Sequence, residues 1–135
     1  MLFRKFSSLL FVALVMIAMN VFAQEEVKDK PLTAAEARMK DGQSVYVEIT
    51  IQSAKNFLAD RGAIYLDSEK NFRSEKNIAI TITKAGAADF KKAGIEDPAE
   101  HFKGKTVRVR GTLTIKDKVA RIEVKEAKQI EMVTK

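Results

Sequence analysis

The chain has 135 residues, of which 24 are Lys or Arg and 18 are Asp or Glu, for a formal net charge of +6. That length fits one domain rather than two. It contains no cysteine, which excludes a disulfide framework, a thiol nucleophile and cysteine-based zinc sites.

The first 23 residues read as a targeting segment. Arg4 and Lys5 give a basic start, Leu9 to Ala18 is an almost unbroken apolar run, and Val21-Phe22-Ala23 precedes the polar Gln24-Glu25-Glu26. That order is the pattern of a secretory signal peptide cleaved after Ala23. The competing reading is an uncleaved anchor, but the apolar stretch is marginal for a bilayer and Asn20 interrupts it. The expected mature protein is therefore exported, periplasmic or secreted, and not an integral membrane protein. Residues 24–42 read as a leader with a short helix, and residues 43–135 as the folded domain. Residues 24–100 hold 12 basic and 14 acidic side chains, whereas residues 101–135 hold 10 and 4. The positive charge thus gathers in the C-terminal third and points to an anionic partner there.

In the leader, Thr33-Ala34-Ala35-Glu36 is a capping-box pattern that predicts a helix to about Met39, stopping at Asp41-Gly42. The period then becomes two: Val45, Val47, Ile49 and Ile51 alternate with Tyr46, Glu48, Thr50 and Gln52, as in a half-buried strand. Asp60-Arg61-Gly62 reads as a turn before a short second strand, Ala63 to Leu66. A polar loop from Asp67 to Lys76 leads to a third, with Ile78, Ile80 and Ile82 on one face. Thr83 or Lys84 caps a helix with Phe90 and Ala93 on its inner side and Gly94 at its end. Asp97-Pro98-Ala99-Glu100 starts a second, shorter helix that holds His101 and Phe102 and closes at Gly104. The last third reads as a hairpin turning at Asp117-Lys118. Val107, Val109, Gly111, Leu113 and Ile115 point inward on one arm, and Ala120, Ile122 and Val124 on the other.

Strand, strand, strand, helix, strand, strand is the order of a five-stranded OB-type Greek-key barrel, mainly β, with a helix between strands three and four. Gly111 in mid-strand suits the coiling that closure requires. The alternative is another small barrel or an α+β sandwich.

Ile64-Tyr65-Leu66-Asp67-Ser68, Asn77-Ile78-Ala79-Ile80 and the run from His101 to Thr112 resemble a family of small bacterial exported OB-fold proteins, over about residues 43–133. A looser similarity runs to exported bacterial OB-fold stress proteins of the envelope. The resemblance implies an OB domain of nucleic-acid-binding-like type and carries over no catalytic residue.

The residues themselves point away from an enzyme. His101 has no second histidine or cysteine with which to form a metal site or nucleophile pair. Asp67, Glu69 and Glu75 share a loop but lack calcium-loop spacing, and Lys70, Arg73 and Lys76 among them favour a solvated loop. The glycines are scattered singly, so no phosphate cradle forms. The expectation is a binding module without catalytic residues, metal or cofactor.

A two-residue turn at Asp117-Lys118 would pair Lys116 with Val119, Thr114 with Arg121, Thr112 with Glu123 and Arg110 with Lys125. Arg108, Arg110, Arg121 and Lys125 would then line a positive outer strip able to hold phosphates. Tyr46 and Tyr65 have outward parity, and Phe57 and Phe72 lie in loops; Tyr65 and Phe72 are the candidate stacking platforms, while Phe90 and Phe102 read as core. The expected partner is single-stranded nucleic acid or another polyanion. The alternative is an envelope protein or a glycan on the same face, in an interaction or stress module.

Overall fold

Thr33 begins the first helix for the reason its sequence suggests. Its hydroxyl accepts from Glu36 N at 3.2 Å, and Glu36 Oε1 accepts from Thr33 N at 3.1 Å. Helix α1 (Ala34–Arg38) follows and buries Ala37 in the common core. A computed structural model describes residues 30–134 of the chain; the expected signal peptide lies outside the described residues.

Seven strands are found among the described residues, against the five expected. They are β1 (Ser44–Thr50), β2 (Ser53–Phe57), β3 (Ala63–Asp67), β4 (Ile78–Thr83), β5 (Thr106–Lys116), β6 (Val119–Val124) and β7 (Ile130–Met132). Helix α2 (Leu58–Arg61) stands before β3, and α3 (Lys84–Lys92) and α4 (Pro98–Phe102) lie between β4 and β5. A 3-10 turn, Ala127–Gln129, precedes β7.

The first extra strand arises where the chain changes partner. Ile51 N donates to Lys105 O and Gln52 N donates to Asp67 O, both at 2.9 Å. What begins on β1 beside β5 therefore continues on β2 beside β3. Ser53-Ala54-Lys55-Asn56-Phe57 carries too few apolar residues to announce a strand, and its backbone pairing with β3 creates one. The second extra strand, β7, adds to the outer side of β5.

The hydrogen-bonded order is β1-β5-β6-β4-β3-β2, antiparallel except for the parallel pair β4 and β6. The path is open between β1 and β2, whose ends are joined by Ile51-Gln52 alone. This mixed sheet is compatible with an OB-type barrel, with α3 and α4 in the connection where the sequence places a helix.

The core follows the period-two pattern. Val45, Val47 and Ile49 of β1, the three isoleucines of β4, and Ala120, Ile122 and Val124 of β6 are all buried. Each large aliphatic side chain so buried contributes about 1.5–3 kcal/mol relative to exposure. Phe90 and Phe102 meet edge to face at 5.6 Å between ring centres. Helix α3 is capped by Thr83, whose hydroxyl accepts from Gly86 N, and its inner face is Gly86, Ala87 and Phe90. Ala93, expected inside, is exposed because the helix ends there. A Cβ at Gly86 would stand 2.5 Å from the Val124 carbonyl oxygen, so the absence of a side chain is what lets α3 lie against the end of β6.

The hairpin turns where expected. Asp117 and Lys118 have φ of 52° and 67°, the left-handed pair of a two-residue turn whose twist matches the strands. Lys116 pairs with Val119 and Thr114 with Arg121, but pairing stops at Leu113 and Ile122. The expected pairs Thr112–Glu123 and Arg110–Lys125 do not form. β5 is 11 residues long, and beyond the hairpin it passes to β1, where Thr112 faces Ser44 and Arg110 faces Tyr46. Gln129 fills the seam: its amide donates to Arg110 O at 2.9 Å and Glu123 O at 3.2 Å. Ile115, expected inside, is 38% exposed because it lies out along the hairpin arm. Among the described residues no helix is long and apolar enough to cross a membrane.

Candidate nucleic-acid interface

Strand alternation that buries one face presents the other. On β2, β3, β4 and β6 the outward residues line a groove of ≈ 670 Å³. Register sets its floor: Ser53, Asp67, Ala79 and Arg121 form one row across the four strands. Lys55, Tyr65 and Thr81 belong to the next row.

Three aromatic rings border it. Phe57, the last residue of β2 rather than a loop residue as expected, meets Tyr65 edge-on at 6.1 Å. Phe72, in the loop between β3 and β4, is 53% exposed. Guanidinium groups lie over two of the rings: Arg61 over Phe57 at 4.7 Å and Arg73 over Phe72 at 5.3 Å. Lys55, Lys70 and Arg121 add positive charge to the lining, against the carboxylates of Asp67 and Asp117. Flat apolar faces beside excess positive charge suit a planar, anionic ligand.

A buried polar network holds the Phe72 loop. Asn77, 0% exposed, donates from Nδ2 to Asp67 Oδ1 at 2.9 Å and to Phe72 O at 3.2 Å. Its Oδ1 accepts from Ser68 Oγ at 3.2 Å and Glu69 N at 3.1 Å. Ser68 Oγ also accepts from Ile78 N at 2.8 Å. The sequence suggested a solvated loop beginning at Asp67, but Asp67 ends β3 and is only 6% exposed. The cause is pairing with β2 and β4 on both sides. Among the described residues no three His, Cys, Asp or Glu side chains cluster as metal ligands.

Burial pushes the Asp67 carboxyl above its ordinary value of 3.8, against the opposing influences of the Asn77 amide and the Lys55 ammonium. A raised folded value means that the contribution to stability is fully present below the unfolded pKa and is lost as pH rises through the folded one. Asp67→Asn removes this charge and keeps an oxygen for Asn77. The variant is therefore expected to melt higher than wild type at about pH 7, with the gap shrinking toward about pH 3, in paired thermal melts. A gap independent of pH would mean that Asp67 ionises in the fold as it does in the unfolded chain.

The structure divides the residues of the expected positive strip. Arg121 joins Tyr65 and Phe72 in the groove. Arg108 instead faces β1, where its Nε lies 2.9 Å from Glu48 Oε1. Glu48, followed by the Tyr46 hydroxyl, raises its pKa further. Arg110 lies over the Tyr46 ring at 3.7 Å, and Tyr46 donates its hydroxyl to Glu131 on β7. Lys125, past the end of β6, stands 3.6 Å from Glu123. The sequence offered no groove role for Lys55 and Arg61, because nothing local says that β2 returns beside β3. Lys70 and Arg73 were visible only as charges mixed with acids.

No family model and no curated protein matches the chain. Among solved structures, asparaginyl-tRNA synthetase from Pyrococcus horikoshii is similar at 15% identity and a TM-score of 0.52, over 78% of this chain and 23% of that one. Aspartyl-tRNA synthetase from Entamoeba histolytica gives 12% and 0.52, over 78% and 21%. The OBody AM1L10, in its structure with hen egg-white lysozyme, gives 15% and 0.52, over 82% and 100%. This chain thus spans under a quarter of the synthetases it matches, at 23% and 21% of their length. At these identities the likeness is one of fold alone, consistent with an OB-fold protein.

Proposed function

We propose that this protein is a non-enzymatic OB-type module, acting after export, that binds single-stranded nucleic acid in the groove of β2, β3, β4 and β6. The observation that carries the reading is the joining of three rings with five cations on one concave face. Similarity of fold to enzymes named for tRNA supports it. Of the residues expected from sequence, Tyr65, Phe72 and Arg121 serve this reading, while Arg108, Arg110 and Lys125 stand outside the groove.

The test is anisotropy of a labelled single-stranded oligonucleotide on residues 24–135 at two salt concentrations. Neutralising three phosphates would lower affinity roughly 20-fold between about 50 and 200 mM salt, with a log–log slope near −2. Lys70→Ala/Arg73→Ala should make that slope shallower by roughly 0.7 for each phosphate no longer neutralised. Absence of binding at low salt would refute the reading.

A second reading has one observation in its favour: the OBody, matched over its full length, is bound to a protein. The groove then serves a protein or glycan partner of the envelope, and the expected signature is binding that changes little with salt.

A further inference from the structure

The floor of the groove carries chemistry beyond a general affinity for single strands. Asp67 and Arg121 stand in one row with only Ala79 between them. Two strand spacings put their backbones about 10 Å apart, and Ala79 between them, 9% exposed, lines the groove with a short side chain. Asp67 is held from below: Oδ1 accepts from Asn77, and among the described residues its other oxygen accepts no hydrogen bond. Arg121 is exposed and, among the described residues, forms no ion pair. Tyr65, two residues from Asp67 on the same face of β3, offers a ring about 7 Å along the strand.

We infer that this floor selects nucleobases bearing an exocyclic amino group over uracil and thymine, with Asp67 accepting from the amino group and Arg121 donating to a ring nitrogen or carbonyl. The inference rests on the nucleic-acid reading above. A base against Tyr65 and over Ala79 has an acceptor on one side and a donor on the other. Cytosine matches both, through its N4 amino group and its O2 or N3; adenine and guanine also pair an amino donor with acceptors. Uracil and thymine have no amino group. In the orientation cytosine takes they turn O4 toward the Asp67 carboxylate, and two acceptors repel. Their one donor, the ring N3–H, is flanked on both sides by carbonyl oxygens that the carboxylate also repels. Asn77 acts as a positioning residue, since its amide orients the carboxyl without reaching the groove ligand.

The experiment compares oligo-dC with oligo-dU of equal length, whose bases share one ring and differ at the amino-bearing edge. Wild-type protein should bind oligo-dC about tenfold more tightly, as for a hydrogen bond to a charged group. Asp67→Asn, which replaces the acceptor facing the base with an amide that can donate, should reduce the preference to within about twofold. Its folding is checked by the melt described above. Arg121→Ala, on an exposed position, should narrow the preference without moving the melting temperature. Equal binding of both oligomers by wild type, a preference for oligo-dU, or a preference that survives Asp67→Asn would overturn the inference and leave the nucleic-acid reading standing. Failure of wild type to bind either oligomer overturns that reading itself.

Discussion

Asn77→Ala should lower the unfolding free energy by about 3 kcal/mol, because it strands several buried partners at once. The amide makes four hydrogen bonds, to Asp67, Phe72, Ser68 and Glu69. Each buried group left without a partner costs about 1–3 kcal/mol, and more when it is charged. The Asp67 carboxylate is the charged one, and the groove beside it admits water, which keeps the total below the sum of four such losses. Urea titration measures the effect as a lower midpoint with an unchanged m-value. A loss well under about 1 kcal/mol would show that water already satisfies these groups in the native protein. The same variant releases the Phe72 carbonyl, so binding should weaken even at temperatures where the protein stays folded.

The second large effect belongs to the aromatic faces. Tyr65→Ala/Phe72→Ala should weaken oligonucleotide binding by roughly 100-fold, since stacking of one base on one ring is worth about 1–3 kcal/mol. The salt slope should not move, because neither residue is charged. That separates the double variant from Lys70→Ala/Arg73→Ala, which should change the slope. Phe72 is 53% exposed, so its loss costs the fold little. Tyr65 gives up its edge-on packing against Phe57, worth about 1 kcal/mol of stability. A weakening under about threefold would mean that bases do not stack on these rings and that charge alone holds the strand.

The two classes of variant rest on different parts of the chain, and the sequence marks those parts unequally. Tyr65 is identifiable because it lies between Ile64 and Leu66, both buried, and strand parity turns it outward. Phe72 stands in a polar loop with no apolar neighbour to pair with. The role of Asn77 has no sequence signal. It sits between a charged loop and an isoleucine-rich strand, and only the return of β4 beside β3 encloses it. Arg108 shows the opposite case. Its outward parity is legible, yet Glu48, 60 residues earlier, occupies the guanidinium. A cation's availability depends on what the sheet sets opposite it.

What the sequence determined by itself is local. The apolar alternation of β1, β4, β5 and β6, the Thr33 and Asp97 caps and the left-handed turn at Asp117-Lys118 each follow from residues within a few positions of one another. Backbone sterics, capping hydrogen bonds and the burial of every second side chain act at that range. Tertiary structure alone decided strand neighbours. It split the first strand at Ile51-Gln52, moved β5 from β6 to β1 before Arg110 could meet Lys125, and closed Asp67 between β2 and β4. The groove joins residues from Ser53 to Arg121. Its composition depends on the order of hydrogen-bonded strands, a property set by how the whole core packs and not by any segment within it.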